Sequence, residues 1–266
     1  MSARSAITAR EAAVFRHSSM GWCVVAGTLC ATALFFHLGL GSAEGHFLRV
    51  EQIWCYAAAL CTPFTAALAT MRLFAGERRD GTLPLLLATP VGERSLVFGK
   101  YRAAVHLVWL SLALASFPLF LLHALAATPS GLPPAEALRT LASAFARPGE
   151  GPLPLDPAAL AGAALFLAIH ALPFTAFGTL CSVAARRPAA AAGGMLLALG
   201  AAGAAGATAL LFFPEAKARA AVSGPVSWIA EAALGNFLPG PFLAALAATA
   251  CMLFLATRLL EDERCR

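Results

Sequence analysis

The chain has 266 residues, of which 59% are hydrophobic and only 12% charged, with a formal net charge of +5. Soluble domains carry about 25% charged residues, so this composition, with a mean hydropathy of +0.75, excludes an ordinary soluble fold and points to a membrane protein. The surplus of cations implies no nucleic-acid partner, because membrane topology accounts for it.

At the N-terminus, Thr8-Ala9-Arg10-Glu11 has the spacing of a capping box and predicts a short helix opening there and running through His17. Ile7, Val14 and Phe15 are its apolar members, and Arg10, Glu11 and Arg16 its polar ones. A short cationic amphipathic helix beside a span is expected to lie in the membrane interface. A bilayer is crossed by about 20 mostly apolar helical residues. Six runs qualify: residues 21–40, 52–71, 103–127, 158–183, 189–213 and 237–257, none holding Asp, Glu, Lys or Arg. The first is read as a retained helix, since its leading region is long and Ser42-Ala43-Glu44 makes a poor cleavage site. The expected fold is therefore an all-α integral membrane protein, a single transmembrane domain over residues 1–266 with six spans.

Cytoplasmic flanks are enriched in Lys and Arg. One set of flanks carries Arg4, Arg10, Arg16, Arg72, Arg78, Arg79, Arg94, Lys100, Arg102, Arg186, Arg187, Arg258, Arg264 and Arg266, which is 14 cations. The other carries Arg49, Arg139, Arg147, Lys217 and Arg219, which is 5. Both termini and the segment 77–100 are thus expected in the cytoplasm, with residues 128–157 and 214–236 as external loops. The first of these loops holds seven prolines, which preclude one long helix, although 135–146 lacks Pro and suits a short one. The second suits one or two short helices broken at Gly224-Pro225. The expected location is the plasma (inner) membrane of a bacterium, multi-pass.

The segment between the second and third spans, Glu77 to Lys100, reads ERRDGTLPLLLATPVGERSLVFGK. Gly81 and Thr82 can break and cap, so a short helix is predicted over 83–88, with Pro84 tolerated in its first turn and Pro90 ending it. Leu83, Leu86 and Leu87 then share one face at i, i+3, i+4 spacing. Charged residues border it: Glu77, Arg78, Arg79 and Asp80 upstream, Glu93 and Arg94 downstream. Such a helix suits either the bilayer surface or a groove on a partner. Lys100 and Arg102 are expected to anchor the third span at the interface.

No catalytic constellation is found. Six of the seven cysteines lie within spans, with Cys265 in the tail, so no disulfide framework is indicated. His37, His106, His123 and His170 are scattered without an i, i+4 pair, which argues against a zinc site. His170, near the middle of the fourth span, is the one candidate for a substrate path, although a lone His in a bundle is more often a packing residue. Gly92…Gly99-Lys100 fails as a phosphate loop, because six residues separate the glycines and Tyr101 follows the Lys. If ATP matters, another polypeptide binds it.

At these residues the chain resembles the permease subunits of the type-2 ABC exporter family. Those chains carry, between spans two and three, a charged pair, then GTL, a Leu-rich turn, ATP-V, and a G-K leading into span three. Here the counterparts are Glu77-Arg78-Arg79, Gly81-Thr82-Leu83, Leu85-Leu86-Leu87-Ala88-Thr89-Pro90-Val91 and Gly99-Lys100. Two positions depart: Pro84 stands where family members usually have an acidic residue, and Gly92 where Ser or Thr is usual nearby. The resemblance implies that 77–100 is a coupling helix docking on a separate cytosolic ABC ATPase. ATP and Mg would be on that subunit and no cofactor on this chain. It implies further that two permease copies, or a related pair, form the pore among membrane lipids. Glu77, Arg78, Arg79 and Arg94 would orient the contact, Leu83, Leu86 and Leu87 fill it, and Gly81, Thr82, Thr89 and Pro90 shape it. The alternative is a membrane scaffold or assembly protein whose cytosolic loop binds a non-ATPase partner.

Overall fold

The computed structural model describes residues 3–42, 50–120, 136, 157–212 and 239–264. Every regular element among them is an α-helix: α1 Ala3–His17, α2 Ser19–Ser42, α3 Val50–Thr70, α4 Ala75–Arg79, α5 Leu83–Leu87, α6 Glu93–Ala115, α7 Pro157–Ala184, α8 Pro188–Phe212 and α9 Pro239–Arg264. This is what lipid requires, since a helix satisfies its own backbone groups where water cannot. Five stretches among the described residues are long and apolar enough to cross a membrane: Ser19–Leu40, Val50–Arg79, Glu93–Phe120, Ala158–Ala184 and Phe242–Arg264. The remaining expected span falls on α8, within which Pro188–Ala201 is a shorter apolar helix. The two expected external loops, 128–157 and 214–236, and the Pro-free stretch 135–146 lie almost entirely outside the described residues.

The central helix is α3, 72% buried along its apolar window against 28% for α2, α7 and α9. It packs on α2, α6, α7 and α8, while α7 also carries α9. Alanines make this closeness feasible, and Ala58, Ala66, Ala67 and Ala69 are fully or almost fully enclosed. Hydroxyls in the spans bond back to the carbonyl four residues earlier, as Thr62 does to Ala58 at 2.8 Å and Thr175 to Ala171 at 2.7 Å. Thr28 on α2 and Thr65 on α3 also bond each other at 2.8 Å. Indole N–H groups link neighbours: Trp54 donates to the Ala115 carbonyl at 3.2 Å and Trp109 to Ala168 at 3.0 Å. Outward, Leu34, Leu38, Phe64, Leu197 and Leu243 are exposed, an apolar perimeter suited to lipid and not to water.

Three boundaries differ from expectation. The first helix opens at Ala3, not at Thr8, whose hydroxyl donates to the carbonyls of Arg4 at 2.9 Å and Gly99 at 3.1 Å. Thr8 is thus an interior helix residue, and Glu11 serves another partner. The helix of the third span starts at Glu93, ten residues before the apolar run, because Gly92 is extended (φ −66°, ψ 144°) and nothing breaks the chain after it. The last helix continues to Arg264, carrying the expected tail as two further helical turns.

Candidate functional site

The segment after α3 is built by its neighbours. Ser182, near the C-terminus of α7, accepts from the backbone N–H of Phe74 at 3.1 Å and of Ala75 at 3.3 Å. It thereby satisfies donors that the start of α4 leaves open. Helix α4 is stopped by Gly81, whose φ of +72° is open to glycine and strained for other residues. The Thr82 N–H then bonds the Glu77 carbonyl at 2.9 Å, turning the chain into α5. Thr82 stands at the N-cap of α5 but makes no side-chain cap; its hydroxyl also reaches the Glu77 carbonyl, at 3.3 Å. Pro84 fits the first turn as expected, and α5 ends where the Thr89 hydroxyl bonds the Leu86 carbonyl at 2.6 Å, just before Pro90.

The Leu face of α5 turns inward. Leu83 is 2% exposed and sits with Leu73, Phe74, Leu96, Val97, Leu253 and Leu260, while Leu86 and Leu87 pack half-buried against the same cluster. This cluster joins α5 to α6 and α9. The opposite side presents Leu85, 71% exposed, with Pro84, Ala88 and Pro90 also exposed. The spacing of the leucines thus marks where α5 meets its own chain.

The charged border divides likewise. Lys100 is 1% exposed, so it is a buried ion and not an interfacial anchor. Its ammonium donates to Glu11 Oε1 at 2.8 Å and Glu77 Oε1 at 2.7 Å, and lies 5.5 Å from the centre of the Phe74 ring. Three helices, α1, α4 and α6, meet at that one cation. Arg78 Nε donates to Glu263 Oε1 at 3.0 Å, and its other nitrogens reach Glu263 Oε2 and the Ala185 carbonyl. Arg264 pairs with Glu93. Arg79 and Arg94 remain exposed, and Arg79 pairs with its neighbour Asp80 at 3.1 Å. Between α5 and the end of α9 lies a cavity of about 560 Å³, bordered by Arg78, Leu83, Pro84, Leu87, Glu263 and Arg264.

His170 stands apart from this cluster. Its ring stacks on Phe166 (centroids 5.2 Å apart), meets Phe174 edge-on (4.8 Å) and hydrogen-bonds the Ala59 backbone. Among the described residues no group of three or more His, Cys, Asp or Glu is placed to hold a metal ion. Sequence reasoning did not find Glu263, Arg264, Ser182 or the pairing role of Glu11. Their partners are 89 to 185 residues away or carry no charge, and the one available signal was the run Glu261-Asp262-Glu263-Arg264 continuing a helical pattern.

A family model described as "ABC-2 family transporter protein" matches residues 3–255, nearly the whole chain. The chain belongs to the ABC-2 transporter family. Comparison with curated proteins gives no match. This ABC-2 protein is accordingly a multi-pass membrane protein of the permease type, and its α4–α5 segment is mechanically joined to α1, α6, α7 and α9. Leu83 joins α5 to the cluster beneath it, and the ion pairs of Glu77 and Arg78 join α4 to the network of α1, α6 and α9.

Proposed function

We propose that this ABC-2 chain is the transmembrane permease subunit of an ATP-driven exporter, and that α5 with its borders receives a separate cytosolic ATPase. The observation that carries the reading is the two-sidedness of α5. Leu83 is enclosed by the chain's own core, whereas Leu85 is 71% exposed on the opposite side. An exposed Leu flanked by Pro84 and Ala88, with Arg79 and Arg94 beyond, has the composition of a contact anchor ringed by charge. The docking residues are therefore Leu85, Arg79 and Arg94, with Gly81, Thr82, Thr89 and Pro90 shaping the turn. Glu77, Arg78, Leu83, Leu86 and Leu87 transmit from beneath. ATP and Mg belong to the partner, and a second permease copy or a related chain completes the pore. His170, with its two aromatic neighbours, is the residue proposed for the substrate path. The cation bias places both termini and α5 on the cytoplasmic side.

The test is retention of an ABC ATPase when the tagged chain is purified from its native membrane. Leu85→Asp with Arg79→Glu is expected to abolish co-purification while the thermal unfolding of the permease is unchanged. Retention of the ATPase at the original level by that variant would sink the reading and would favour a scaffold with some other cytosolic partner.

A further inference from the structure

A second feature lies further along α6. An apolar crevice of about 180 Å³ opens between α1, α2 and α6, walled by Phe15, Val25, Leu107 and Leu110, with Arg16 and His106 also lining it. It is smaller than the roughly 300–1,000 Å³ of a typical small-molecule pocket, so it suits something slender. Helices α2 and α6 carry the first and third spans and so cross the membrane in the same sense. Along the chain the polar lining comes first: Arg16, near the end of α1, precedes Trp22 and Val25 of α2, and His106 precedes Leu107 and Leu110 of α6. The crevice is thus cationic where the spans enter the membrane and apolar further in.

Among the described residues no carboxylate lines the crevice. The one carboxylate of α1, Glu11, is held by Lys100 at 2.8 Å, and the one carboxylate of α6, Glu93, is held by Arg264. Arg102, exposed and one helical turn before the lining residue His106, stands on the same face of α6 and supplies a second guanidinium to that flank. Trp22, 56% exposed, donates its indole N–H to the Arg16 carbonyl at 2.9 Å. A half-wet indole of this kind marks headgroup level.

We propose that this crevice binds one anionic phospholipid, its acyl chain between Phe15, Val25, Leu107 and Leu110 and its phosphate on Arg16 and Arg102. Guanidinium groups pair with phosphate oxygens in two parallel hydrogen bonds, and basic pockets between membrane helices select acidic headgroups. A free phosphate would use the arginines and leave the crevice empty.

Native mass spectrometry of the purified full chain, titrated with phosphatidylglycerol or phosphatidylcholine of matched chains, tests the site. One phosphatidylglycerol is expected to stay bound in preference to phosphatidylcholine. R16Q/R102Q should lower that preference roughly thirtyfold, several-fold for each surface cation. R186Q/R187Q, which neutralises two exposed cations between α7 and α8, should leave it intact. Leu110→Trp, which fills the apolar part, should weaken retention of both lipids, and glycerol phosphate, lacking a chain, should not compete. Equal retention of the two lipids by the unaltered chain overturns the proposal whether or not any variant folds. So would undiminished phosphatidylglycerol retention by R16Q/R102Q, an equal loss in R186Q/R187Q, or displacement by glycerol phosphate.

Discussion

Lys100 shows at the scale of one residue how this fold uses charge. A buried ammonium is costly unless fully paired, and here Glu11 and Glu77 approach it at 2.8 and 2.7 Å. Lys100→Met would leave two carboxylates facing each other in a nearly dry site. The expected loss is about 3–5 kcal/mol of stability, read by thermal or denaturant unfolding in detergent. Adding Glu11→Gln and Glu77→Gln to the same variant should recover much of that loss, since the uncompensated charge is then gone. Gly99 makes a second such point. A Cβ there would stand 2.7 Å from the Ile7 side chain, so Gly99→Leu must push α1 off α6. Protease sensitivity near residue 10 should rise in that variant while the spans remain intact.

At the scale of the element, α4 and α5 are too short to persist as isolated helices. They hold their shape through Ser182, Gly81 and the ion pair of Arg78 with Glu263. That pair is part-exposed, at 20% and 36% of the side chains, so its net contribution is modest. A double-mutant cycle with Arg78→Gln and Glu263→Gln should give a coupling of about 1 kcal/mol. Gly81→Ala should cost about 1–2 kcal/mol locally, from its left-handed backbone, visible as faster hydrogen exchange through 75–90. The existence and length of α5 were legible in the sequence because Gly81, Pro84 and Pro90 punctuate the chain physically. Its inner side was not, because a Leu stripe reports that a face is buried and says nothing of what buries it. Lys100 was misread for a related reason: a charge at the head of an apolar run looks like an interfacial anchor unless its partners, 23 and 89 residues distant, are known.

At the scale of the whole molecule, the bundle was readable because lipid imposes one rule on every span, a long uncharged helix. The charged extensions of the spans escaped that rule. Residues 93–102 and 258–264 are amphipathic and charged, so hydropathy ends the spans where the helices do not end. Those extensions are what bring Glu93, Lys100, Glu263 and Arg264 to α4 and α5. The result is a layer of short helices bound to α6 and α9, with Leu85 exposed on its outer side. A motion imposed on those helices would reach two spans at once, as the proposed drive from a separate ATPase requires. The direct test places a photo-reactive amino acid at Leu85 in the native membrane, with the same probe at lipid-facing Phe64 as reference. The expected result is a light-dependent adduct between the Leu85 probe and a nucleotide-binding ATPase, with none from Phe64. Absence of an ATPase adduct at Leu85, when the probe is incorporated and the ATPase is present, would contradict the docking of an energy source on α5.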